Sequence, residues 1–462
     1  MRFTKEMTNI VASTRVSLAL RAFCVLACAL VAGPALARLV VMHGYADVTS
    51  ALVWVQADAP GPVRISWLPE GAQHERVLSL DARPSEELAV VARLTGLAPG
   101  STARYRIEGD GDVREGILRT QPVWRDAKAA PEITIALGSC YFLGDANPLL
   151  GNAAYGGGYE IFDAIAAKKP DVMVWLGDNL YFQRADFLDP ESMGHRHRLH
   201  RRHEPLSRLL TATSHIATWD DHDYGWNNAD ASYPMKGDAL RLFKLYWANP
   251  SYGLPDVPGV FGFAQYGDVD ILLTDGRYYR SHERMSDSPA KTMYGAAQGE
   301  WIRNLLLNLR NPVKLFVSGS QVWNAASRFD GLHQFPSEQS ALASFLLSQR
   351  IDGLLFVSGD RHFTELLRVD RSALGSGAYP LYEFTSSPLT SRPWENPEAS
   401  ERNNPQLVPG TLVGKRQFGI IRISGPGNDR TIALESYDQT GTLLWREQLR
   451  ANDLRFPRKP SK

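Results

Sequence analysis

The chain has 462 residues, 44% of them apolar and 22% charged, with lysine plus arginine equal to aspartate plus glutamate at 50 each. That length exceeds what one hydrophobic core usually serves, and the composition excludes a disordered or fibrous chain. A net charge near zero excludes bulk electrostatic attraction to nucleic acid or anionic membrane, so any anion must be bound at a local site.

Residues 1–37 read as a leader. Arg2, Lys5, Arg15 and Arg21 precede an apolar run at 22–32, and Ala35-Leu36-Ala37 comes after it, the order of a secretory signal peptide cleaved after Ala37. The run is shorter than the roughly 20 residues of a membrane span, and no second run of that length occurs later, so no transmembrane span is expected in the mature protein. Cys28 after Val25-Leu26-Ala27 makes only a faint lipoprotein box, and no Arg-Arg pair marks the twin-arginine route. The expected location is secreted or periplasmic. Cleavage removes Cys24 and Cys28 and leaves Cys140 without an internal disulfide partner. It is then either a buried apolar residue or a thiolate nucleophile or metal ligand.

From 38 to 126 the pattern is one of short strands. Alternating segments at 53–56, 63–67, 89–92 and 103–107 are separated by proline and glycine turns, which predicts a small all-β sandwich. The phrase Leu94-Thr95-Gly96-Leu97-Ala98-Pro99-Gly100-Ser101, with Tyr105 just beyond, resembles the turn and buried tyrosine of fibronectin type III-like domains. From about 127 to 462 the texture is α/β. A helical stretch at 159–167 alternates with continuous apolar runs at 133–137, 172–176, 269–273, 315–317 and 354–357, as strands buried on both faces do. Runs at 418–423, 431–435 and 442–445 are expected to be antiparallel and to complete the sheets.

The residues immediately after the apolar runs carry the chemistry. Gly138-Ser139-Cys140 comes after the first, Gly177-Asp178-Asn179-Leu180-Tyr181 after the second, and Ser358-Gly359-Asp360-Arg361-His362 after the last. The stretch 216–219 leads into Asp220-Asp221-His222-Asp223, with Asn227-Asn228 beyond. Ligands of α/β sheets bind outside the carboxyl ends of the strands, so four such clusters converge on one crevice. Any one alone reads as a cap or turn, which Asp and Asn favour. Together they form a set of carboxylate, thiolate, phenol, amide and imidazole donors suited to hard or borderline cations. The carboxylates would repel one another unless cations compensated them. Two metals about 3.5–4 Å apart can hold a hydroxide and neutralise a phosphoryl oxygen.

These phrases resemble the alkaline phosphatase D (PhoD-like) family of calcineurin-like metallophosphatases. Supporting phrases are Leu273-Thr274-Asp275-Gly276-Arg277-Tyr278-Tyr279-Arg280, the segment 295–301 with Gln298, and Ser386-Ser387-Pro388-Leu389. The resemblance implies an α/β metallophosphatase sandwich, two mixed sheets flanked by helices, preceded by the fibronectin/Ig-like sandwich. It implies Fe(3+) held by Cys140 and Tyr181, Asp178 bridging to a second metal, Ca(2+), and further ligands from Asp220, Asp221, one of Asn227 and Asn228, Asp360 and His362. His222, with Asp221, takes the position of the catalytic proton donor. Asn179 and Arg277 are expected at the substrate, although Arg277 reads equally as an internal ion pair with Asp275. The implied activity is hydrolysis of phosphate mono- or diesters, with a phospholipase D-like diesterase as the alternative. Substrates are then small phosphate esters or phospholipids, nucleic acid has no scaffold role, and a monomer is expected. A rival of another class is a non-enzymatic surface or carbohydrate-binding protein working through the sandwich.

His195, His197, His200 and His203 lie among Arg196, Arg198, Arg201 and Arg202 without a closed ligand spacing, and read as a solvated basic stretch. The wall above the metals is expected from segments 224–254, 281–294 and 389–415, with Arg392, Arg402, Lys415 and Arg416 nearby to meet a dianion.

Overall fold

The computed structural model describes residues 39–124, 130–144, 155–370 and 378–457, with short strands at 146–147 and 152–153. The expected leader lies outside the described residues. Among them, no helix is long and apolar enough to cross a membrane.

Seven strands come first: β1 (Val40–Ala46), β2 (Ser50–Gln56), β3 (Gly61–Pro69), β4 (Arg76–Ala82), β5 (Ala89–Thr95), β6 (Thr102–Gly109) and β7 (Asp112–Arg119). They form two antiparallel sheets, β1-β2-β5 and β4-β3-β6-β7. Val53, Val55, Ile65, Tyr105 and Ile107 fill the core between them. Tyr105 is buried, and its hydroxyl bonds the Nε2 of His43 at 2.9 Å.

The α/β part opens with β8 (Ile133–Gly138), the short pair β9 (Ala146–Asn147) and β10 (Asn152–Ala153), α1 (Ile161–Ala167) and β11 (Val172–Leu176). Then come α2 (Pro190–Arg201), α3 (Glu204–Ala212), β12 (Ser214–Thr218), α4 (Asp221–Tyr224) and α5 (Lys236–Tyr246). The strands of the second sheet and the helices between them follow: β13 (Gly262–Tyr266), β14 (Val269–Leu273), α6 (Ala296–Asn308), β15 (Val313–Ser318), α7 (Pro336–Ser348), β16 (Leu354–Ser358), β17 (Thr364–Val369) and β18 (Leu381–Ser386). After α8 (Ala399–Arg402), the strands β19 (Gln417–Ser424), β20 (Thr431–Asp438) and β21 (Leu443–Arg450) return to the first sheet.

Two six-stranded mixed sheets result, ordered β12-β11-β8-β19-β20-β21 and β13-β14-β15-β16-β18-β17. β8, β11 and β12 are parallel, as are β14, β15, β16 and β18, whereas β19, β20 and β21 are antiparallel as expected. The first sheet shows why its strands are apolar throughout. Ile133, Ile135, Leu137, Val172, Val174 and Leu176 face the core shared with the second sheet. Ala136, Met173 and Trp175, one residue out of phase, face the helices.

The same helical layer covers the sandwich. Val40, Met42, Leu52 and Trp54 of the β1-β2-β5 sheet pack with Leu206, Leu209, Phe243 and Tyr246. The Trp54 indole donates to the Leu245 carbonyl at 2.7 Å, and the Gln56 amide to the Tyr246 hydroxyl at 3.0 Å.

The basic histidine segment is solvated only in part: His195 is exposed, and Arg196 and Arg198 are half-buried. It forms α2, in which His197, His200 and Arg201 are buried. The His197 ring stacks on Tyr246 at 4.5 Å, and the Arg201 guanidinium lies 4.1 Å from the Trp247 ring and donates to the Tyr246 carbonyl. Aromatic faces take up the Arg201 charge, whereas Arg196, Arg198 and Arg202 pair with Asp186, Glu87 and Asp58.

Candidate metal centre and active site

The carboxyl ends of β8, β11, β12, β14, β15 and β16 deliver Cys140, Asp178, Asp220, Arg277, Ser320 and Asp360 to one edge. Glycine makes the approach possible. Gly177 has φ +88°, and a Cβ there would stand 2.6 Å from the Asp220 Cβ. Cys140, Asp178, Asn228, Asp360 and His362 themselves adopt positive φ, at 58°, 50°, 56°, 69° and 55°. Non-glycine residues rarely sit there, and such strain clusters at functional sites.

Ligand atoms of Asp178, Asp221 and His222 lie within 4.8 Å of one another, as do those of Asp220, Asp221 and Asp360. The two groups share Asp221. Asp178 sits between Cys140 and the α4 turn: its Oδ2 is 3.4 Å from the Cys140 sulfur, and its Oδ1 accepts the His222 amide at 3.2 Å. Tyr181 bonds His362 Nε2 at 3.2 Å and accepts from Ser391 at 3.1 Å. His362 Nδ1 faces the Arg392 carbonyl at 2.7 Å, which fixes its proton there and leaves Nε2 as a donor atom for the site. The Asn228 amide donates to Asp221 Oδ2 at 2.7 Å, and the Asn227 side chain donates to Asn228 Oδ1.

The electrostatics demand positive charge. Burial, reinforced by Asp221 and Asp220, pushes the Asp178 carboxyl well above its ordinary range. Burial also pushes Asp220 up to about 7, with Asp221 and Asp360 adding to it against the pull of Arg277. The Cys140 thiol and Tyr181 phenol are raised by burial and then by neighbouring anions, Asp178 among them. Of the carboxylates named here Asp221 alone falls, to about 2, because burial is outweighed by His222, Arg277 and the Asn228 amide. Burial lowers His362 to about 4, keeping the neutral imidazole that metals bind. The Oδ1 atoms of Asp221 and Asn179 are buried without a hydrogen-bond partner. Unsatisfied acceptor oxygens among mutually repelling carboxylates fit a cation.

Two expected substrate contacts lie behind this wall instead. Arg277 is fully buried; its guanidinium donates to Asp220 at 2.6 Å, to Asp330 at 2.5 Å and to Ser320 at 3.0 Å. Asp275 is not its side-chain partner. That carboxylate accepts the Trp219 indole and the amides of Val260, Arg277 and Tyr278, while Gln298 clamps its backbone. The Asn179 side chain donates to Asp223 at 2.5 Å and to the Thr218 carbonyl at 2.7 Å. Asp223 also accepts the Asp220 amide at 2.7 Å, so it ties the loops after β11 and β12 together.

Several participants carried no legible role in the sequence. Ser387 donates to the Cys140 sulfur at 3.1 Å; the phrase Ser386-Ser387-Pro388-Leu389 was its only signal. Asp330 joins Arg277 to Arg280. A cleft of about 900 Å³ opens over the centre, with Asp178, His222, Asn227, Asn228, Asp360 and His362 on its floor. Of the expected wall, 392–396 lines it together with Asn227 and Asn228, whereas Arg402 is bonded to the Pro397 carbonyl and Arg416 to those of Thr390 and Tyr155. Phe187, Phe329 and Tyr155 complete it.

The family model for PhoD-like phosphatases matches residues 255–424. The solved structure of PhoD aligns at TM-score 0.71 and 18% identity, covering 89% of this chain and 91% of that one. The purple acid phosphatase PPD1 from yellow lupin (Lupinus luteus) seeds aligns at TM-score 0.62 and 10% identity, covering 91% and 75%. No curated protein sequence matches. Residues 255–424 thus resemble the PhoD-like phosphatases, and the two-sheet fold of the chain is the one seen in PhoD and in the lupin purple acid phosphatase.

Proposed function

We propose that the chain is an exported phosphoesterase acting on phosphate mono- and diesters through a two-metal centre. The observation that supports this most is the cluster of four carboxylates, Asp178, Asp220, Asp221 and Asp360, in two groups that share Asp221, with Asp178 and Asp360 lining the cleft. Cys140, Asp178 and Tyr181 would hold iron(III); Asp220, Asp221, Asp360, His362 and Asn228 or Asn227 would supply the remaining ligands, with calcium as the second ion. Bound there, the cations would supply Lewis acidity at the phosphoryl oxygens and lower the pKa of the attacking water. The chain's own residues do the rest. His222 faces the cleft, a position that suits it to pass a proton to the departing oxygen; burial lowers its pKa, with Asp221 opposing that shift and Arg277 adding to it. Arg277 and Ser320 hold Asp220 in place, and Asp223 fixes the two ligand loops. The leader at 1–37 supports export.

The purified protein should cleave a chromogenic phosphomonoester and a diester at neutral to alkaline pH. Asp178→Asn should abolish both activities while leaving a cooperative melt. Full activity in that variant would remove the two-metal assignment.

A further inference from the structure

The far side of the cleft is aromatic, and it is bolted to the ligand loop. The Trp394 amide donates to the His362 carbonyl at 2.8 Å, and the Arg392 carbonyl meets His362 Nδ1 at 2.7 Å. Segment 392–394 therefore keeps a fixed distance from a proposed ligand. Phe329 packs edge-to-face on Trp394, with centroids 5.2 Å apart and planes at 88°. Beside them the Arg361 guanidinium lies 4.7 Å from the Phe329 ring and 5.5 Å from Trp394, and Glu401 pins it at 2.7 Å. Phe329 remains 37% exposed although it is large and apolar, and Phe329, Trp394 and Arg361 all line the cleft. A rigid corner of this kind loses little entropy when a flat group covers it. A small hydrophilic alcohol would leave it wet.

Building on the phosphoesterase reading, we propose that Phe329 and Trp394 form a subsite for a planar aromatic arm of the phosphate ester, with Arg361 positioning the two rings. The enzyme then prefers esters carrying an aryl group or a base close to phosphorus over those of small alcohols or alkyl chains.

Non-hydrolysable phosphonates separate the arm from the phosphoryl group. With the metal-loaded enzyme, phenylphosphonate should inhibit about tenfold more tightly than methylphosphonate, equivalent to about 1.4 kcal/mol. Octylphosphonate should stay near the methyl compound, and adenosine 5′-phosphonate should behave like the phenyl one. The phenyl-to-methyl ratio should fall below about two in Phe329→Leu, which keeps apolar bulk without a ring, and survive in Phe329→Tyr. A ratio near one in the unaltered enzyme, an unchanged ratio in Phe329→Leu, or equal inhibition by octyl- and phenylphosphonate would overturn the subsite. Turnover together with inhibition by inorganic phosphate reports on the phosphoesterase reading separately, so failure of one is distinguishable from failure of the other.

Discussion

Replacing Arg277 with methionine removes the charge but keeps most of the aliphatic stem. Arg277 and Asp220 are both almost completely buried and in direct contact. A pair at about 4 Å is worth about 4 kcal/mol at an effective dielectric near 20. Breaking one side of a buried pair costs about 3–5 kcal/mol, because the remaining charge is left uncompensated. Asp330 keeps Arg280, so the loss falls on Asp220, which retains only the Ser320 hydroxyl as a side-chain donor. The chelator-stripped variant should therefore be about 3–5 kcal/mol less stable than the stripped parent. Added cations should restore more stability to the variant than they give the parent, since they substitute for the missing guanidinium. Urea titrations at pH 8, monitored by emission of the eleven tryptophans, measure both quantities. A loss below about 1 kcal/mol, or equal metal-induced shifts in the two proteins, would refute the reasoning.

Cys140→Ser should bleach or shift the visible absorption expected of an iron(III)–thiolate or –phenolate centre; an unchanged spectrum together with full metal content would remove Cys140 from the ligand set. Stability should fall in acid through His43, whose buried imidazole is lowered to about 4 from 6.5. The unfolded chain binds the extra proton between those values, so the contribution is complete above 6.5 and is lost as pH falls toward 4. That gap corresponds to about 3 kcal/mol, and His43→Gln should flatten the stability slope over this window. Trp54→Ala should cost about 3–5 kcal/mol, as a large buried ring lost from a packed interface, and an exposed-site value below about 0.5 kcal/mol would contradict the packing of the sandwich on the helices.

The clusters at Cys140, Asp178, Asp220 and Asp360 were readable because each comes directly after a buried strand, so the local pattern already states the position in the fold. The side chains behind them were not. Arg277 pairs with Asp220 and Asp330, 57 and 53 residues away along the chain, and the nearer Asp275 is the misleading candidate. Phe329 and Trp394 meet only through loops, which carry no periodicity. β4 was missed because most of its side chains are exposed or half-buried, and α2 because arginine on tryptophan leaves no apolar trace in the sequence.

The β1-β2-β5 sheet has one face in the sandwich and the other against α3 and α5. Synthesis runs from the N-terminus, so this sheet is complete some 150 residues before α5, which ends at Tyr246, has been made. Met42, Leu52 and Trp54 must wait uncovered through that interval, a sticky surface on a nascent chain. The sandwich therefore cannot mature as an independent unit ahead of the enzyme. A ribosome-bound fragment ending near residue 130 should engage holding chaperones that one extended past residue 250 releases.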